Sequence, residues 1–181
     1  MEANETLYAL ALNRVKGVGP RIFKRIVDAA GSAERAFGMK TSGLVERCGI
    51  PSGVARAIER FSDWSKVEAD LERCRKSGIQ ILIRSSEGYP RLLDLLDDAP
   101  PVLYILGELE PKDELAIAIV GTRSMTPYGK KVAHRLAGEL ADGGFTIVSG
   151  LARGIDSRAH TGALDAGGRT IAVLGCGLDM L

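Results

Sequence analysis

From residue 115 to residue 174 the chain alternates short apolar, β-branched runs with helical stretches, and this alternation restricts its fold more than any other feature. Residues 115–120, 145–149 and 170–174 read as strands. Residues 127–138, or a little beyond, and 156–166 read as helices, with Gly143-Gly144 and Gly167-Gly168 as turns. Strands separated by helices form βαβ units with a parallel sheet and right-handed crossovers. Two Gly-rich turns fall inside this run, each at the C-terminal end of a strand and each followed by a helix. They are Gly121-Thr122-Arg123-Ser124 and Ser149-Gly150-Leu151-Ala152-Arg153-Gly154. Ligands bind at that edge of an open parallel sheet, because backbone amides and helix N-termini converge there. Both turns carry an arginine, a hydroxyl and exposed backbone. Such groups suit a phosphate or a phosphodiester and supply no obvious nucleophile–base pair.

The first turn is neither GxGxxG nor a Walker A loop, so dinucleotide binding and P-loop phosphoryl transfer lose their signatures. A guanidinium on a phosphate is a bidentate, charge-assisted contact, which gives Arg123 a binding role. The alternative is a solvated Arg123, with Thr126 merely capping the helix that Pro127 opens. In the second turn, Ser149 and Arg153 face the crevice of Arg123 if the strands are neighbours. Asp156 is a natural N-cap for the following helix. His160, four residues on, shares its face. An Asp–His pair can do acid–base chemistry, but the plainer reading is a structural hydrogen bond that steadies the turn. A third turn, Gly175-Cys176-Gly177-Leu178-Asp179, lies on the same edge, and Cys176 reads as packing.

Residues 1–77 have a different character. Residues 6–13 form a short apolar helix, Gly17-Val18-Gly19 breaks it, and Pro20 opens a helix over 21–30. Ile22, Phe23, Ile26 and Val27 form its apolar face. Ser32 or Ser42 caps the next helix. Residues 52–61 are helical, and 62–76 form a longer helix with Trp64, Val67 and Leu71 at 3–4 spacing. Gly78 ends it. The break at Gly17 and Gly19 fits a helix–hairpin–helix turn, whose amides approach a DNA phosphate with Lys24 nearby. The alternative is a plain turn between packing helices, or a surface for a protein partner. No acid falls between Glu5 and Asp28, yet Arg14, Lys16, Arg21, Lys24 and Arg25 do, a local basic patch. From Gly78 onward, residues 79–83 and 102–107 read as strands and 89–93 as a short helix. Residues 108–114 read as a surface loop or hairpin. The sheet is thereby expected to reach about five strands, with one face poorly covered.

The 181 residues are 45% hydrophobic and 26% charged with net charge +1, which fits a soluble globular protein of one large or two small domains. No apolar run approaches the roughly 20 residues that span a bilayer. The N-terminus lacks the basic region and cleavage site of a signal peptide. Cys48, Cys74 and Cys176 form no CxxC pair, and with only His134 and His160 no metal site and no cofactor is expected. A reducing cytoplasm is the simplest home. The chain stops just after a strand, so a piece of a longer protein is expected.

Taken together, these residues resemble the DNA-processing protein A family, DprA, also called Smf. The resemblance runs through Tyr89-Pro90 and Leu93, Pro100-Pro101-Val102-Leu103-Tyr104 and Gly107, and Ile119 to Arg123 with Tyr128-Gly129. It continues through Ser149-Gly150-Leu151-Ala152-Arg153-Gly154-Ile155-Asp156 with Ala159-His160, and Leu174-Gly175 with Gly177-Leu178-Asp179. It implies an α/β fold: an all-helical sterile-alpha-motif-like (helix–hairpin–helix) domain over 1–77, then part of an extended Rossmann-like parallel sheet over 78–181. It further implies a single-stranded DNA-binding protein with no known enzymatic activity, one that protects incoming DNA in natural transformation and loads the RecA recombinase. In that resemblance Gly121, Thr122, Arg123 and Ser124 contact the strand, and Ser149, Gly150, Arg153 and Gly154 help form the pocket. Gly17, Gly19 and Lys24 offer a weaker DNA or partner contact, while Asp156 and His160 are structural. A homodimer is expected of full-length members, and no membrane association. The competing class is a Rossmann-like enzyme of the phosphoribohydrolase type, but its PGGxGTxxE-like stretch is missing.

Overall fold

In the N-terminal half, helix boundaries follow from glycine, proline and hydroxyl signals. A computed structural model describes residues 2–84 and 86–178, with only the backbone of Glu2 and Ala3; Asp179 of the third turn lies outside the described residues. The opening helices are α1 (Glu2–Arg14), α2 (Pro20–Ala30), α3 (Ala33–Phe37), α4 (Thr41–Cys48), α5 (Ser52–Glu59) and α6 (Trp64–Lys76). α2 starts with Pro20 in its first turn behind an extended Gly19. It ends where Gly31 turns left-handed at φ 88° and donates its N–H to the Val27 carbonyl. A left-handed residue there closes a helix cheaply only if it is glycine. Ser32 caps α3 by accepting from the Arg35 N–H at 3.0 Å, whereas Lys40 rather than Ser42 precedes α4.

The apolar faces converge as their spacing predicts. Phe23 and Ile26 of α2 are buried with Leu12, Leu44, Ala55 and Ile58, and Ile22 and Val27 pack at the margin. A separate cluster joins Val67 to Leu10, Ala11 and Val102, with Leu71 and Trp64 packed against it. Trp64 meets the rings of Phe37, Phe61 and Tyr8 at centroid distances of 4.9, 5.1 and 5.3 Å, all edge-on. Edge-on packing suits the ring quadrupoles and adds to area burial.

Next come β1 (Ile79–Ile83), α7 (Arg91–Asp94) and β2 (Val102–Leu106), the two strands pairing antiparallel with Ile79 opposite Leu106 and Ile83 opposite Val102. Here the sequence expectation needs correcting: β1 and β2 form their own two-stranded sheet and do not extend the parallel one to five strands. They pack with α1 and α6, and the chain divides into compact units at Met1–Glu108 and Leu109–Leu181. The division by packing thus comes after the hairpin rather than after Ser77. Buried Arg84 anchors the segment between the strands, donating to the Asp94 carboxylate at 2.8 Å and to the Asp94 and Leu96 carbonyls at 2.8 and 2.7 Å. Burial raises the Tyr89 pKa, and its hydroxyl donates to the Pro100 carbonyl at 2.7 Å.

In the second unit, β3 (Ala116–Ala118), β4 (Thr146–Ser149) and β5 (Thr170–Ala172) form a parallel sheet in that order. They are joined by α8 (Pro127–Asp142) and α9 (Ile155–Asp165). Both helices pack on β4 and on each other, so they share one face of the sheet. On β3, Ala116 and Ala118 stand exposed around half-buried Ile117. Small residues set the helix–helix distance: Ala137, Ala141, Ala159 and Ala163 are buried against Ile147. A Cβ on Gly162 would lie 2.1 Å from the His134 carbonyl oxygen.

Residues 108–114 lie at the surface as expected, but as an anchored turn. A 3₁₀ turn, Pro111–Glu114, turns Asp113 inward. Arg169 grips the Asp113 carboxylate at 2.6 and 2.9 Å and Glu110 at 2.8 Å, while the Thr146 hydroxyl donates to Asp113 at 2.8 Å. Burial alone would raise the Asp113 pKa, but the bonds from Arg169, the Glu110 amide and Thr146 hold it below the usual carboxylate value. Ion pairs left in a half-buried site need such further hydrogen bonds to offset desolvation.

Candidate nucleic-acid interface

β3 and β4 are neighbours, so the two Gly-rich turns emerge side by side at the same sheet edge. They touch backbone to backbone. The Ile155 N–H donates to the Thr122 carbonyl at 3.2 Å. A Cβ on Gly154, whose φ is 97°, would lie 2.2 Å from that carbonyl oxygen and 2.7 Å from the Arg123 Cα. A Cβ on Gly121 would collide with the Ile155 side chain at 2.7 Å. Only glycine permits either approach. Leu151, at φ 56°, is the one described non-glycine residue in the left-handed region.

The expected N-cap role of Asp156 is overturned. Gly154 precedes α9, and Asp156 sits inside its first turn, 7% exposed. Its carboxylate reaches across to the first turn and accepts from the Gly121 N–H at 3.2 Å; its other oxygen lies 2.8 Å from where a Gly150 Cβ would be. One carboxylate thus braces both turns, a task for which local spacing carries no signal.

The expected Asp156–His160 hydrogen bond is replaced by another. His160 Nδ1 lies 2.6 Å from the Thr170 hydroxyl, which itself donates to the Ile147 carbonyl at 2.7 Å. Thr170 therefore accepts from His160, which places a proton on Nδ1. The other ring nitrogen is buried with no partner among the described residues. Burial lowers the His160 pKa and the Asp156 charge only partly opposes it. The pair is consumed structurally: Asp156 holds Gly121, and His160 ties α9 to β5.

Hydroxyls divide in the same way. Ser149, expected to face the crevice, is 2% exposed and donates to the Ile119 carbonyl at 2.7 Å, stitching β4 to β3. Thr122 accepts from the Ser124 N–H at 3.1 Å and shapes its own turn. Thr126 caps α8 by accepting from the Gly129 N–H at 3.1 Å. Arg123, Arg153 and the Ser124 side chain remain exposed on the joined turns. Neither guanidinium has an ion-pair partner among the described residues. The cradle presents two unpaired cations on a rigid, glycine-built backbone, an arrangement suited to an extended phosphodiester. Cys176, read as packing, is exposed.

Gly17, Gly19 and Lys24 lie in the first unit. Gly17 takes φ 91°, where an added Cβ would lie 3.0 Å from the Val54 side chain, while Gly19 leads into α2. The basic patch there is partly neutralised. Arg14 pairs with Asp70, Lys24 with Asp28 at 2.6 Å, and Arg25 donates to the Gly49 carbonyl at 3.2 Å. Lys16 and Arg21 stay exposed, without ion pairs among the described residues. Among the described residues no helix is long and apolar enough to cross a membrane. No group of three or more His, Cys, Asp or Glu side chains among them is placed to hold a metal ion.

The sequence profile of the family described as "DNA recombination-mediator protein A" matches residues 80–181, more than half of the chain. The chain belongs to that family. "Protein Smf" of Synechocystis is 38% identical over all of this chain and 46% of its own length, and "DNA processing protein DprA" of Bacillus subtilis is 40% identical over 67% of this chain and 41% of its own. The X-ray structure of DNA processing protein A from Streptococcus pneumoniae matches 97% of this chain and 60% of its own at TM-score 0.78 and 25% identity. The chain spans less than half the length of these curated relatives.

Proposed function

We propose that the cradle of residues 121–124 and 149–154 binds the backbone of single-stranded DNA. The carrying observation is the convergence of Arg123 and Arg153, both exposed and without ion pairs, on two turns locked together by Gly121, Gly154 and Asp156. Sequence-tolerant single-strand binding needs a cationic groove that tracks phosphates. Family membership supports a DNA ligand. Gly121, Thr122, Gly150 and Gly154 shape the cradle in this reading, Ser149 braces it from beneath, and Arg123, Ser124 and Arg153 contact the strand. Gly17, Gly19 and Lys24 make a weaker contact with DNA or a protein partner.

The cradle binds rather than catalyses: its one acid–base candidate, Asp156 with His160, is occupied by Gly121 and Thr170. In the whole protein we infer protection of incoming strands during natural transformation, handover to the RecA recombinase, a homodimer and a cytoplasmic setting. Residues 78–181 act as the DNA-binding domain of that protein and 1–77 as its helical accessory, in keeping with the start of the family match at residue 80.

The test is fluorescence anisotropy with labelled oligo-dT at two salt concentrations, with a duplex of equal length as control. Single-strand-selective, salt-sensitive binding is expected. Arg123→Ala should weaken it by roughly tenfold or more, since a charge-assisted hydrogen bond is worth about 1.5–3 kcal/mol, with an unchanged melting midpoint. Equal affinity in that variant would remove Arg123 from the interface.

A further inference from the structure

α8 carries Lys130, Lys131, His134 and Arg135 at the spacing of one helix side. Together with Pro127 and with Arg158 of α9 they line a cleft of about 450 Å³, with no carboxylate in its lining among the described residues. His134 is tied to Asp165 at 2.8 Å and Arg135 lies 3.5 Å from Glu139, both at exposed positions. Lys130, Lys131 and Arg158 have no ion pair among the described residues. Arg158 Nε is buried and has no hydrogen-bond partner among the described residues.

The cleft adjoins the cradle through both of its helices. Pro127 directly follows Thr126, the cap of α8, and the Arg158 N–H donates to the Gly154 carbonyl at 3.3 Å. Tyr128 stands at the head of the basic stripe, three residues before Lys131, and is 78% exposed. From Tyr128 to Arg135 the helix advances roughly 10 Å, a row and not a bowl. A solvent-standing aromatic beside a row of cations is the pairing that single-strand sites use, the ring stacking a base and the cations following phosphates.

We propose that the α8–α9 cleft is a second subsite, which carries the single-stranded DNA backbone out of the cradle, past Tyr128 and along Lys130, Lys131 and Arg135. The proposal rests on the cradle reading above and extends it. It predicts that the binding footprint exceeds what the two turns alone can hold.

The experiment uses the 181-residue chain with oligo-dT of roughly 6 and roughly 20 nucleotides, lengths that bracket common single-strand footprints. Three proteins are compared: unaltered, Arg123→Ala, and Lys131→Gln with Arg135→Gln. The last pair is exposed, so its melting midpoint should match the unaltered chain. The unaltered protein should bind the longer strand more tightly. The double variant should keep its affinity for the short strand and lose the gain with length. Its salt slope should be shallower by about 0.7 for each phosphate it no longer neutralises. A double variant that keeps both the length gain and the slope overturns the cleft. So does inorganic phosphate displacing the long strand as well as unlabelled oligo-dT at equal phosphate, which would mark a simple anion site. Short-strand binding indifferent to Arg123→Ala overturns the cradle while leaving the cleft standing. Failure of the folded chain to bind either strand overturns both.

Discussion

Gly154 makes the sharpest claim of any single residue. Its φ of 97° is costly for a side chain, and a Cβ there would run into the Thr122 carbonyl at 2.2 Å. Gly154→Ala must therefore separate the two turns or strain them. We expect a loss of about 3 kcal/mol or more in urea denaturation, and weaker strand binding even where the variant still folds. A variant with unaltered stability would show that the turns do not depend on this approach. His160 makes a second claim, through pH. Its folded pKa lies below the ordinary histidine value, mainly because it is buried. As pH falls through the unfolded value of about 6.5, the unfolded chain takes up a proton that the folded chain refuses. Stability should thus be full above that pH and decline as pH falls below it, until the folded pKa is reached. Melting midpoints between pH 7.5 and 5.5 should show the decline, and His160→Gln should flatten this component of it.

At the scale of elements, the seam between α8 and α9 is built from absence of side chain. Gly162 lets the helices meet where a Cβ would be 2.1 Å from the His134 carbonyl oxygen, and Gly168 is similarly close to Ala141. Gly162→Ala gains helix propensity, worth up to about 1 kcal/mol. Overpacking costs about 1–3 kcal/mol, and here the obstacle is backbone, which cannot swing aside. The second effect should win, so the variant is expected to melt lower; a higher midpoint would show that the seam is looser than its geometry. Because the cradle sits at the N-terminal ends of both helices, the same change should also weaken strand binding. The helical spacing of Lys130, Lys131, His134 and Arg135 is a local pattern, but only the packing of Arg158 beside it makes a cleft.

The whole molecule divides after Glu108, an exposed residue that follows Gly107 at φ 102°. The hairpin of β1 and β2 belongs by packing to the helices before it, even though the family match starts at residue 80, within β1. Limited digestion with a glutamate-specific protease should cut first at Glu108 and leave resistant pieces near 1–108 and 109–181. Early cleavage instead around residue 77 would place the packing boundary where the sequence change suggested it. Exposed linkers between units are the preferred sites of such nicking.

What the sequence alone determined is local and periodic: the helix that Pro20 opens over 21–30, the βαβ order after residue 115, the two glycine turns with Arg123 and Arg153 at strand ends, and the family. Each depends on residues within a few positions of one another, where spacing directly encodes geometry. Tertiary structure decided who partners whom. Asp156 braces Gly121, 35 residues earlier, instead of capping its own helix, and Ser149 turns inward to Ile119, 30 residues earlier. Asp113 reaches Arg169 across 56 residues and anchors a charged segment that otherwise stays at the surface. A buried polar group must find a hydrogen-bond partner, and the nearest one in space is set by how strands pair and helices pack, which no local pattern records.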